Sequence, residues 1–83
     1  MNEVKPDFIV DIKGLKCPVP LIETRRALRK ASIGNIIEFT GTKEEEISRK
    51  EILVALGNLK HTVISDNYNS NGERWQIYVK KEN

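Results

Sequence analysis

Asp11-Ile12-Lys13-Gly14-Leu15-Lys16-Cys17-Pro18-Val19-Pro20 is the stretch where the sequence changes its period. On its N-terminal side Phe8 to Ile12 alternates, with Phe8, Val10 and Ile12 on one face and Ile9 and Asp11 on the other. That is the pattern of a strand, and Gly14 ends it. On its C-terminal side Leu21, Thr24, Leu28 and Ala31 share one helical face, with Ile22 beside it. Arg25, Arg26, Arg29 and Lys30 cover much of the rest. Proline suits the first helical position because its missing N–H had no partner there anyway. Cys17 therefore reads as the N-cap and Pro18 as the first helical residue, with Pro20 still inside the first turn. Basic residues in the last turn suit the helix dipole, and Gly34 is a natural stop.

The remainder extends the pattern. Asn35 to Thr40 alternates, with Ile37 and Phe39 on one face. A second helix is expected to run to about Leu59. Thr42-Lys43-Glu44-Glu45 and Ser48-Arg49-Lys50-Glu51 both match a capping box; the first is the favoured start, which places Ile47, Leu53, Leu56 and Leu59 among the buried residues. Gly57 weakens the end of this helix. Thr62 to Asn67 is rich in strand formers, and Trp75, Ile77 and Val79 alternate with Arg74, Gln76, Tyr78 and Lys80 around the turn residues Asn69-Ser70-Asn71-Gly72. Trp75 is expected in the core, on the face opposite Tyr78. The order is β-α-β-α-β-β. It predicts an α/β chain of the α+β two-layer sandwich type, a four-stranded mixed sheet with two helices on one face.

At 83 residues the chain has the length of one domain, expected to span 1–83 with residues 1–7 as a loose lead-in. Composition is ordinary for a soluble protein, with 31% charged and 39% hydrophobic residues. A net charge of +2 does not by itself imply nucleic-acid binding. The first residues lack the pattern of a signal peptide, and the longest apolar run, Ile52 to Leu56, is far short of a membrane span. The expected location is the cytoplasm, with no membrane partner. A single cysteine excludes an internal disulfide, a two-cysteine redox motif and a cysteine-rich zinc site.

The reactive form of cysteine is the thiolate, and a helix N-terminus stabilises it through the dipole and unpaired N–H groups. Pro18 and Pro20 remove donors, which leaves the N–H groups of Cys17 and Val19 to point toward the sulfur. Lys13 and Lys16 add positive potential. The thiol is expected to be somewhat more acidic than free cysteine and to sit at the accessible edge of the sheet. The alternative is a small buried hydrophobe, against which the strand-turn-cap setting argues.

Asp11-x-Lys13-Gly14-Leu15-x-Cys17-Pro18-x-Pro20 resembles the signature of the TusA-like (SirA-like) sulfur-carrier family. The Arg25-Arg26 pair and Gly34 also fall where that family carries a basic pair and a turn glycine. The resemblance covers residues 8 to 80. It implies a two-layer sandwich and a carrier rather than a stand-alone turnover enzyme, one whose cysteine accepts sulfane sulfur as a persulfide and passes it on. The resemblance assigns the persulfide to Cys17, with Gly14, Leu15, Pro18 and Pro20 shaping the site. It also implies a sulfur-donor protein (a cysteine desulfurase or rhodanese-like enzyme) and a sulfur-acceptor protein, serving tRNA thiolation, molybdenum-cofactor chemistry or sulfur metabolism. No cofactor is expected. The chain departs from the family pattern at Lys13, where arginine is common, at Thr42-Lys43-Glu44, where Asp-Pro is frequent, and at Lys60-His61, where Gly-His is usual.

The other charged groups have plainer readings. Lys16, Arg25 and Arg26 form a candidate docking surface for an acidic partner, set against a merely solvated helix face. Glu44-Glu45-Glu46 reads as a dipole-favoured helix start. His61 has no further ligands at metal spacing, so no metal site is expected; it is placed at a helix end or the surface. The alternative function is a noncatalytic regulatory or binding module touching RNA through the basic helix face. Modest charge and the absence of paired surface aromatics argue against direct nucleic-acid binding. A redox sensor or selenium handler needs the same exposed thiolate, so the sequence does not separate it from a sulfur carrier.

Overall fold

A computed structural model describes residues 5–16, 19–69 and 71–82. The elements are β1 (Phe8–Asp11), α1 (Val19–Lys30), β2 (Ile36–Thr42), a short 3₁₀ turn (Lys43–Glu45), α2 (Glu46–Asn58), β3 (Thr62–Tyr68) and β4 (Arg74–Lys80). The strands form one four-stranded sheet in the order β1-β2-β4-β3. β1 runs parallel to β2, and β4 is antiparallel to both β2 and β3. The expected element order and mixed sheet are present, and both helices cover the same face. That face carries Ile37, Phe39, Trp75, Ile77 and Val79, which join Ala27, Leu28, Ala31, Ile52 and Leu56 in a single core cluster.

Alternation decides this core on β4, where every second residue is buried, and on β2 up to Phe39, beyond which Thr40 and Gly41 are buried as well. Trp75 is fully buried, as expected, and its indole N–H donates to Thr42 O at 2.9 Å. β2 continues past the expected end at Thr40 because Gly41 passes directly under Trp75. A Cβ there would lie 2.6 Å from the ring atom Cζ2 and 2.9 Å from Cε2.

The second helix corrects the expected burial. Ile47 is 73% exposed and Leu59 is 43% exposed. The capping box at Thr42 is present, but it opens a 3₁₀ turn, and α2 proper begins only at Glu46. Three residues per turn rather than 3.6 rotates the face that follows. The buried positions become Glu45, Ser48, Ile52 and Leu56, and Ile47 is turned outward. Leu59 is the C-cap, beyond the last full turn.

α2 closes on Lys60, which has φ +63. The Lys60 N–H donates to Gly57 O at 3.1 Å and the His61 N–H to Leu56 O at 3.1 Å, the paired bonds of a helix stop built on a left-handed residue. His61 thus sits at a helix end, as expected, while the left-handed position itself is held by a lysine. β3 is bulged: its register shifts between Val63 and Ser65. Beyond the bulge Asp66 and Tyr68 pair with the core-facing Ile77 and Trp75, so they too look toward α2. Arg49 reaches both Asp66 oxygens at 2.7 Å and Glu46 at 2.8 Å, and the Tyr68 hydroxyl donates to Glu46. This clamp ties α2 to the edge strand.

Candidate functional site

Because β1 and β2 are parallel neighbours, both leave the sheet at the same end, where β4 begins. Each leads into a helix there. The first of these junctions carries the cysteine motif. Cys17 and Pro18 lie outside the described residues, so the site is defined by what brackets them.

Upstream, the Leu15 N–H donates to Ile12 O at 3.0 Å, closing a turn over Lys13 and Gly14. Gly14 has φ +80, the conformation that the third position of a type II turn demands and that L side chains resist. Asp11 Oδ1 accepts the Lys13 N–H at 3.0 Å and the Arg74 guanidinium at 3.1 Å. Arg74 also reaches Thr40 Oγ1 at 3.3 Å. Leu15 packs against the core, and Lys16 is exposed. Downstream, Pro20 is buried and its carbonyl accepts the Thr24 hydroxyl at 2.8 Å, a back-bond within the helix.

One expectation about donors is corrected. The Val19 N–H donates to Lys16 O at 2.9 Å, so it is engaged by a carbonyl on the other side of the motif rather than left to face the sulfur. The i to i+3 closure of the loop takes it. Lys13 and Lys16 are both exposed.

The second junction supports the first. Glu45, 8% exposed, accepts the Thr42 N–H and Thr42 hydroxyl on Oε1, both at 2.7 Å, and the Gly14 N–H on Oε2 at 3.4 Å. Burial pushes this carboxyl up. The Thr42 and Gly14 donors outweigh that effect and the nearby Asp11 charge, and hold it below its ordinary value. Sequence reading took Glu45 only as a helix-start residue. Its bond to a backbone amide 31 positions away is invisible to local pattern.

The candidate docking residues Arg25 and Arg26 line different surface grooves. Arg25 lines a groove of about 450 Å³ between α1 and α2, together with Leu21, Ile47, Lys50, Val54 and Ala55. Arg26 faces the β1 side and pairs with Glu23 at 3.2 Å. Val19 and Ile22 are exposed near the start of α1, so the surface around the cysteine loop is apolar as well as basic. Among the described residues no group of three or more acidic, histidine or cysteine side chains is placed to hold a metal, and no helix is long and apolar enough to cross a membrane.

Residues 8–81 match the family described as Sulfurtransferase TusA. The chain belongs to this family. Two curated relatives are each named a "Putative sulfur carrier protein". That of Thermotoga maritima is 34% identical over 71 residues, covering 86% of this chain and 86% of the relative. YrkI of Bacillus subtilis is 38% identical over 39 residues, covering 47% of this chain and 52% of the relative, so the match spans about half of YrkI. A crystal structure of a SirA-like protein from Desulfitobacterium hafniense superposes with a TM-score of 0.74 at 18% identity, covering 92% of this chain and 99% of that one. The fold is therefore that of the SirA-like neighbour.

Proposed function

We propose that this TusA-family chain is a sulfur carrier whose Cys17 holds sulfane sulfur as a persulfide and relays it between partner proteins in the cytoplasm. The supporting observation is the placement of the chain's one cysteine. In the sequence it comes two residues after the Ile12–Leu15 turn, which Asp11 and Glu45 hold through the Lys13 and Gly14 N–H groups while Arg74 braces Asp11.

The chemistry is thiol exchange. The Cys17 thiolate attacks the outer sulfur of a persulfide on the donor. The donor's sulfur–sulfur bond breaks, the donor thiolate leaves with the electron pair, and Cys17 gains the persulfide with no net oxidation. With no second cysteine in the chain to attack that persulfide, its outer sulfur leaves to a nucleophile on another molecule. Lys13 and Lys16 favour the thiolate electrostatically. Gly14, Leu15, Pro18 and Pro20 shape the loop, and Lys16, Arg25 and the apolar groove beside them meet the partner. A cysteine desulfurase or a rhodanese-like protein is the fitting donor class.

Incubation with a cysteine desulfurase and cysteine, or with a rhodanese and a sulfane donor, tests this by intact mass spectrometry. The wild-type chain should gain the mass of one sulfur, removable by reductant, and Cys17→Ser should gain none. No adduct on the wild type, or an equal one on Cys17→Ser, overturns the reading.

A further inference from the structure

At the other end of the helical layer from the cysteine loop there is a second cavity. It has a volume of about 400 Å³ and is lined by Arg25, Leu28, Arg29, Leu59, His61 and Lys81. Leu28 is roughly 13 Å along α1 from Val19 at the usual helical rise, so this cavity lies toward the opposite end of α1 from the cysteine motif. The volume is within the range of small-molecule sites.

Its lining is cationic on an apolar floor. Arg25 and Arg29 are one helical turn apart on the same face of α1. Neither guanidinium has an ion pair or hydrogen bond to any of the described residues. Lys81 Nζ donates to Leu28 O at 2.6 Å and Ala31 O at 2.7 Å, which anchors the ammonium at the end of α1 and leaves one N–H over. His61 Nδ1 accepts the Glu82 N–H at 3.2 Å, so in the neutral ring the proton resides on Nε2, a donor. The Glu82 carboxylate accepts the Thr62 hydroxyl and does not line the cavity. No carboxylate among the described residues does. Burial, then the Lys81 charge, holds the His61 pKa below its ordinary value, against the opposing effect of Glu82. Leu28 and the exposed Leu59 supply the floor.

We propose that this cavity binds a small organic phosphate. The two guanidinium forks and the Lys81 ammonium take the phosphate oxygens, and the organic group lies on Leu28 and Leu59. A phosphate dianion matches several converging donors, and the planar fork of arginine matches its geometry. The ligand's negative charge raises the His61 pKa, so the ring takes up a proton on binding at pH values between its free and bound pKa.

His61 is the chain's one histidine, so its ring signals report the site without ambiguity. The full chain, ¹⁵N-labelled, is titrated with phenyl phosphate, inorganic phosphate, benzoate and sodium chloride at matched ionic strength. Phenyl phosphate is expected to shift the amides of Arg25, Arg29, His61 and Lys81, to raise the His61 pKa, and to bind several-fold tighter than inorganic phosphate or benzoate. Arg25→Gln and Arg29→Gln each weaken it by about tenfold, the size expected for a charge-assisted hydrogen bond, while amide signals elsewhere stay in place. The proposal is overturned if phenyl phosphate perturbs these signals no more than chloride does. It is equally overturned if benzoate or inorganic phosphate binds as tightly, or if the double glutamine variant keeps wild-type affinity.

Discussion

The two strand-to-helix junctions start from the same geometry and end with opposite character. Both follow parallel neighbouring strands and emerge at one end of the sheet. The junction at Thr42 closes on itself, with the threonine hydroxyl capping the Glu44 N–H and Glu45 returning to the Thr42 N–H. The junction at Lys13–Pro20 has no acidic residue in its first helical turn, two exposed lysines and a left-handed glycine. One of its amides, that of Gly14, is satisfied by a carboxylate belonging to the other junction. A self-sufficient junction next door thus helps to hold the turn at Lys13–Gly14 in place.

The largest break in this contrast should come from Gly41→Ala, just before the closed junction. The added methyl meets the rigid, hydrogen-bonded Trp75 ring at well under contact distance. We expect a loss of about 1–3 kcal/mol, seen as a drop of roughly 5–15 °C in the thermal midpoint. An unchanged midpoint would show that the strand–indole contact relaxes freely. Glu45→Ala comes next. It strips an acceptor from the Thr42 and Gly14 amides and should cost about 1–2 kcal/mol. Hydrogen exchange should accelerate at Gly14 more than at amides within β4, the signature of a link between the junctions rather than of general loosening.

Acid should weaken α2's anchoring in a definite window. The bond from Arg49, then that from Tyr68, holds Glu46 at about 2, against an ordinary 4.5. A carboxyl depressed in the folded state stabilises above its unfolded value and loses that contribution as pH falls through the folded one. Between pH 4.5 and about 2 the clamp to β3 should therefore lose roughly 1 kcal/mol, discounted for the solvent that still reaches the pair. Glu45 acts in the same direction, since its pKa is also lowered. Urea midpoints across that range, compared with Glu46→Gln, measure the share of this site. The smallest effect should be favourable: Lys60→Gly relieves a left-handed lysine and should stabilise by about 0.5–1 kcal/mol after the entropy of the unfolded glycine is counted.

The fold was legible wherever a residue's role depends on its near neighbours. The alternation of Trp75, Ile77 and Val79, the Thr42 capping box and the β-α-β-α-β-β order are all local signals, and each is present in the structure. Ile47 escaped because a 3₁₀ turn ahead of α2 changed the phase without changing the composition, and Leu59 because it is the C-cap, beyond the last full turn. The Arg49–Asp66 clamp, the Arg74–Asp11 bridge and the Glu45–Gly14 bond join positions 17, 63 and 31 residues apart, and no periodicity records them. Around the cysteine, the motif pointed to the loop, while what holds its turn in place came from elements elsewhere in the chain.

The bulge in β3 has a further consequence. The sheet has two edges, β1 and β3. β1 offers only four residues, and β3 carries an interrupted register. An incoming strand needs an even run of unpaired amides and carbonyls, and a bulge or a very short edge denies it one. Neither edge of this sheet is thereby a ready template for strand addition, and its outward surfaces are left to side-chain contacts alone.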